Sequence, residues 1–207
     1  MPPTKPAKKA VQKSAKKPAG RRAKKVEPST PAMILTVGHS DRSLEEFLDL
    51  LQSHGVTMIV DVRKMPRSLR NPQFNRDSLP NALRGRGIGY TDLPALGGLR
   101  RRKPDSPNGG WRNASFQGYA DYMLTPEFEA GLQELLDLAR GQRPALMCAE
   151  AVPWRCHRSL IADALTVRGI TVDHIMSKSR ADRHALKPWA KVEGTRITYP
   201  PEEQQEA

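Results

Sequence analysis

The sequence predicts an α/β domain: a mainly parallel sheet flanked by helices, carried behind a basic N-terminal tail expected to be disordered. Three observations lead there. Short apolar runs of strand length alternate with stretches of helical periodicity, the pattern of βαβ units. The first thirty residues are Lys, Ala and Pro with almost nothing to bury, so they cannot offset their ordering entropy. Three of the apolar runs stop in polar residues, as strands of an open parallel sheet do at their carboxyl edge.

In chain order, residues 1–30 hold ten Lys/Arg against one acid, Glu27. They read as a polycationic arm that neutralises phosphates, so nucleic acid is its expected partner; a solubilising tail is the plain alternative. The folded domain is expected over 33–176. Residues 33–37 (MILTV) form a strand ending in Gly38-His39-Ser40. Ser40 or Ser43 can cap a helix over 44–54, in which Leu44, Phe47, Leu48 and Leu51 follow helical spacing and Gly55 supplies the stop. Residues 57–62 (TMIVDV) are a second buried strand, parallel and adjacent to the first. Residues 64–115 are rich in Pro, Gly and Arg. They hold a short helix at 78–84, an extended piece at 89–93, and aromatic residues that fit an ordered cover over the sheet edge. Helices follow at 116–123 and 126–139, a strand at 145–148, a helix at 158–168 ended by Gly169, and a strand at 170–175. The extension 177–207 is polar and proline-containing, and is expected to cover the surface or fray.

The net charge of +12 is unevenly spread. Residues 63–103 carry eleven Lys/Arg against Asp77 and Asp92, so two basic segments join a mildly acidic remainder. No apolar run has the length of a membrane span, and no apolar stretch of signal-peptide type follows the basic opening, so no membrane partner is expected. Two cysteines and no secretory signal point to a reducing cytoplasm. Nucleoid association extends that reading through the basic arm.

Residues 145–165 (ALMCAEAVPWRCHRSLIADAL) organise the rest. A strand, a loop and a helix start bring both cysteines, Glu150, His157, Arg155 and Arg158 together. Exposed N–H groups and the helix dipole favour negative charge there. The strand ends are expected to add His39, Ser40, Asp61 and Arg63 to the same edge. TVGHS, DVRKMPRS, GIGYTDLPALGGLR, FQGYADYM and LMCAEAVPWRCHRSLIADAL, in that order over 33–176, resemble the domain of unknown function 488 family. That resemblance implies a compact bacterial α/β domain and no particular activity. It implies signature residues Gly38, His39, Ser40, Asp61, Arg63, Pro66, Ser68, Tyr90, Leu96, Gly97, Gly98, Cys148, Glu150, Cys156, His157 and Arg158, all present. A looser likeness to rhodanese and cysteine-phosphatase domains rests on the DVR strand and the strand–Cys–loop–Arg–helix element. The loop here is longer and holds Glu150 and Pro153, so that likeness is an analogy.

Cys156, at a helix start beside His157, Arg155 and Arg158, is the better-placed nucleophile. A redox or sulfur-transfer pair of Cys148 with Cys156, and two plainly buried thiols, are the alternatives. No metal is expected, because Cys148, Cys156, His157 and His39 offer too few ligands. No cofactor is assigned. Asp61 and Glu150 read either as an acid/base pair or as partners of Arg63 and Arg158, and His39 as a base or a hydrogen-bonded support. Gly38, Ser40, Arg63, Ser68, Tyr90, Gly97, Gly98 and Arg158 are the candidate binders of an anionic small molecule or nucleotide. Three functions follow: an enzyme acting on an anionic nucleotide or nucleic-acid substrate, a non-catalytic nucleic-acid-binding module, or, behind both, thiol-based redox or sulfur transfer through Cys148 and Cys156.

Overall fold

The computed structural model describes residues 33–201 together with Met1; residues 2–30 of the expected tail lie outside the described residues. Six strands form one sheet: β1 (Met33–Gly38), β2 (Met58–Asp61), β3 (Gly89–Asp92), β4 (Pro144–Cys148), β5 (Thr171–Ser177) and β6 (Arg180–Arg183). Their order is β3-β2-β4-β1-β5-β6, parallel except for β6, which runs antiparallel to β5.

Alternation along the strands decides which helix covers which face. Leu35, Val37, Ile59, Ala145 and Met147 share one core with α1 (Leu44–Ser53) and α2 (Leu79–Gly85). Ile34, Val60, Leu146, Cys148 and Val172 share the other with α3 (Ala114–Met123), α4 (Pro126–Leu138) and α5 (Arg158–Thr166). Helix α1 begins with a capping box: Ser43 Oγ accepts from the Glu46 N–H, and the Glu46 carboxylate accepts from the Ser43 N–H. Thr125 and Asn113 cap α4 and α3 in the simpler one-way fashion.

The neighbouring strands β1 and β4 leave the sheet on opposite faces, β1 into α1 and β4 into α5. The crevice beyond their carboxyl ends is therefore the topological switch point, where open α/β sheets bind ligands.

Of the two expectations for the extension from 177, covering the surface or fraying, fraying is corrected over 177–201. Strand β6 completes the sheet, and β7 (Lys191–Glu193) pairs with β8 (Arg196–Thr198) as a hairpin. Ile197 and Tyr199 are buried in the core of the α5 face. Tyr199 is anchored by two hydrogen bonds: its N–H donates to Asn108 Oδ1 and its hydroxyl to Asp163 Oδ2. The segment lacks helical periodicity, so its burial is readable only with the partner surface in place.

Candidate functional site

At the switch point Gly38 pairs with Cys148, and the chain beyond β4 folds back over the end of β1. A Cβ on Gly38 would stand 1.8 Å from the Glu150 carbonyl oxygen, so only glycine admits this crossing. The crossing matters because Arg158 Nη2 donates to that same carbonyl at 2.5 Å. Arg158 is 1 % exposed. Its Nε points at Cys156 Sγ at 3.4 Å, and its Nη1 donates to Thr36 Oγ1 at 3.2 Å.

Cys156 lies immediately before the first turn of α5, with Sγ 3.7 Å from His157 Nδ1. The Nε2 of His157 faces the Val62 carbonyl at 3.1 Å. A carbonyl can only accept, so Nε2 carries the hydrogen and Nδ1 is left to exchange a proton with the thiol. The two sulfurs lie within 4.8 Å of each other. The neighbouring Cys148 thiol above all, then His157 and the Arg158 guanidinium, holds the Cys156 thiol well below the usual range, against the opposing effect of burial. The same neighbour and burial push Cys148 well above it. Of the two sulfurs, Cys156 is therefore the one that ionises first.

A buried relay supports Arg158 from behind. Thr36 Oγ1 donates to His174 Nδ1 at 2.7 Å, and His174 Nε2 donates to His184 Nδ1 at 2.9 Å. His184 Nε2 in turn donates to Asp163 Oδ1 at 2.7 Å. The Asp163 carboxylate, which can only accept, sets the direction of the whole chain. Burial pushes His174 down to about 3, so it is neutral within the relay.

The other candidates stand on the opposite face. Asp61 pairs with Met147, one residue short of Cys148, and that single step sends their side chains to opposite sides of the sheet. Asp61 accepts from Arg63 Nε at 2.9 Å and Nη2 at 2.6 Å, and from the Tyr90 hydroxyl at 2.8 Å. Arg63 Nη2 also donates to the Phe74 carbonyl, and Nη1 to His39 Nε2 at 3.2 Å. His39 donates through Nδ1 to the Ser40 carbonyl and stacks on Phe74 at 4.3 Å. Burial pushes His39 down to about 4. This is a closed ion-pair cluster. Asp61 and His39, expected either as proton-transfer groups or as supports, spend their polar atoms on Arg63, Tyr90 and the Ser40 carbonyl. Arg63 and Arg158, expected to grip substrate, each have all three guanidinium nitrogens hydrogen-bonded within the protein.

Two cavities flank this edge. One of about 340 Å³ is lined by Cys148, Cys156, His157, Gly98, Tyr119, Phe116, Arg155 and Lys64. The other, of about 330 Å³, is lined by His39, Ser40, Ser68, Arg67, Arg70 and Asn71. Arg63, Met65, Ala149 and the exposed Glu150 wall both. Gly98 leaves room for His157, since a Cβ there would stand 2.8 Å from Nδ1. Gly97 allows the chain past Lys64 and the Pro94 carbonyl. Ser68 pins the second cavity's loop, its N–H donating to Asn75 Oδ1 at 2.7 Å and its Oγ accepting from the Asn71 N–H. Ser40 takes a left-handed φ of 52° and donates to Asp41.

Sequence reasoning missed Thr36, Asp163, His174, His184, Tyr119 and Lys64. For His174 the available signal was its position on a mostly buried strand, where an unpaired imidazole is costly; His184 follows the exposed edge strand β6 and carried no such signal. The ligand atoms of Cys148, Cys156 and His157 lie within 4.8 Å of one another. Two sulfurs and a nitrogen suit a soft or borderline ion such as zinc, although the Arg158 guanidinium at 3.4 Å competes for the Cys156 sulfur. His39, the fourth candidate ligand, belongs to the other cluster.

The fold and site together define a class: an open α/β domain with a paired-thiol cleft at its switch point. The family model described as domain of unknown function DUF488 matches residues 43–165, and the chain belongs to that family. No curated protein and no solved structure matches the chain. No helix among the described residues is long and apolar enough to cross a membrane.

Proposed function

We propose that the protein is a thiol-dependent enzyme acting on an anionic substrate, with Cys156 as the nucleophile. One observation carries this reading. The Cys156 sulfur is held among Cys148, His157 Nδ1 and Arg158 Nε at a helix start, and it lines a cavity with Lys64 and Arg155 on its wall. Buried thiols with no chemical task do not need a guanidinium and an imidazole aimed at one sulfur.

In this reading the thiolate attacks the electrophilic centre of the bound substrate. The imidazole of His157 takes the thiol proton on Nδ1 and returns it to the leaving group, while Val62 keeps the ring in position. Arg158 and Cys148 stabilise the sulfur charge. Lys64 and Arg155, both exposed, supply the free cations for the substrate's negative charge.

The test is the pH dependence of iodoacetamide labelling at each cysteine in the folded protein, resolved by peptide mass spectrometry. Cys156 is expected to label with an apparent pKa well below the ordinary value of about 8.5, and Cys148 above it. If both thiols stay inert until the protein unfolds, the nucleophile reading fails.

A second reading, reversible dithiol–disulfide exchange, is favoured by the close approach of the two sulfurs. Equilibration in glutathione buffers followed by acid trapping decides it: a Cys148–Cys156 disulfide at a cytosolic poise supports exchange. The ten basic residues among 1–30 support a nucleic-acid contact and a cytoplasmic, nucleoid-associated location. Affinity for a random duplex is expected to fall steeply with salt, and to be lost when residues 1–30 are deleted.

A further inference from the structure

All three tryptophans of the chain line one cavity of about 720 Å³. They arrive from distant segments: Trp111 from the loop before α3, Trp154 from the turn before Cys156, and Trp189 from the C-terminal segment. Trp111 stacks on Phe116 at 4.8 Å and meets Trp189 edge-on at 4.7 Å. Packing accounts for those two rings. It does not account for Trp154, whose side chain is 62 % exposed although an indole is among the costliest groups to leave in water. Nor does it account for the indole N–H of Trp111, which among the described residues is the one buried side-chain nitrogen or oxygen without a hydrogen-bond partner.

The polar members of the lining are as telling. Arg112, Asn113 and Arg155 stand at the aromatic walls, and among the described residues no carboxylate lines the cavity. A ligand suited to it has a flat aromatic part, acceptor atoms and negative charge. Phe116 and Arg155 also line the thiol cavity, so the two spaces adjoin.

We infer that the tryptophan cavity seats the base of a nucleotide unit, with its phosphate directed at Arg155 and the Cys156 cleft. Every base has a π-face to offer an exposed indole, and arginine matches phosphate geometry. The substrate of the thiol site is then a nucleotide, either free or as the terminal unit of a single strand. For its reacting end this rests on the proposed thiol chemistry; the base seat itself does not.

Because every tryptophan lies in the cavity wall, intrinsic fluorescence of the full chain reports occupancy. The titrants are AMP, UMP, ribose 5-phosphate and a 5′-phosphorylated trinucleotide. Saturable quenching is expected with AMP and UMP but not with ribose 5-phosphate, together with protection of Cys156 from iodoacetamide at saturation. Trp154→Ala should weaken nucleotide affinity by roughly ten-fold, and Trp154→Phe should retain most of it. Tighter quenching by the trinucleotide than by AMP marks a strand end as the source; the reverse marks the free nucleotide. Equal quenching by ribose 5-phosphate, or a Trp154→Ala affinity equal to that of the parent, overturns the base seat. A Cys156 of low pKa with no quenching by any nucleotide overturns the seat and leaves the thiol reading standing. Quenching with an ordinary Cys156 titration sinks the thiol reading and leaves the seat.

Discussion

Replacing Gly98 by alanine tests the thiol–imidazole pair with a single methyl group. The new Cβ would stand 2.8 Å from His157 Nδ1 and 3.2 Å from Cε1. Ordinary contact begins near 3.4 Å, so the ring must retreat by roughly 0.6 Å. It has little room to do so, being tied through Nε2 to the Val62 carbonyl at 3.1 Å and packed against Tyr119. A shift of that size takes either the Val62 bond or the 3.7 Å approach to Cys156 out of range. A hydrogen bond to a charged group contributes about 1.5–3 kcal/mol, which corresponds to about one to two pH units on the thiol. The sign is upward, since the lost partner favoured the thiolate. Below the parent's own apparent pKa the thiolate fraction, and with it the iodoacetamide rate at Cys156, should fall about ten-fold or more. The assay is the labelling rate at each cysteine from about pH 5 to pH 10, with circular dichroism confirming that the variant is folded. A folded Gly98→Ala protein whose Cys156 curve overlays the parent's would refute the pairing.

Cys148→Ala removes the donor that depresses Cys156 most, and should raise the Cys156 labelling pKa; Cys148→Ser, which keeps a donor, should restore part of the depression. Equal curves for the two variants would show that Cys148 acts only by packing. Acid should unfold the protein early. His39 and His174, pushed down to about 4 and about 3 by burial, stay unprotonated in the fold while the unfolded chain takes up protons from about pH 6.5. The stability they contribute is fully present above that value and is lost as pH falls, at roughly 1.4 kcal/mol per pH unit per histidine. Urea midpoints of the parent and of His174→Gln between about pH 6.5 and pH 4 check this: the variant's slope should be shallower by about one proton. Gly38→Ala places a methyl 1.8 Å from the Glu150 carbonyl and should destabilise the fold by at least about 3 kcal/mol in urea unfolding. A loss below about 1 kcal/mol would mean that the β4 loop yields easily.

The elements were readable because their signals are local. MILTV and ALMC are apolar runs of strand length, and Leu44, Phe47, Leu48 and Leu51 keep helical spacing behind the Ser43 cap. The strand ends do gather at one edge. Their division between two faces was not readable, because it depends on the register of β2 against β4 across more than eighty residues of chain. Arg63 and Arg158 show the same limit. Their charge is visible in the sequence, whereas the Phe74 and Glu150 carbonyls that engage them are not. Asp163, His174, His184 and Tyr199 look like scattered polar residues until tertiary packing joins them in one buried chain.

That chain has a consequence for biosynthesis. Thr36 and Arg158, on the sulfur side, are made before His184 and Tyr199, which close the relay from the other end. Until those two emerge from the ribosome, Thr36 faces an unfinished set of imidazoles and the Asp163 carboxylate still lacks two donors. The environment that sharpens the Cys156 thiolate is thus completed by residues translated after every one that lines its cavity. A nascent chain stalled short of Tyr199 carries an incompletely assembled thiol site, and C-terminal truncation is felt at the sulfur without touching any residue that lines its cavity.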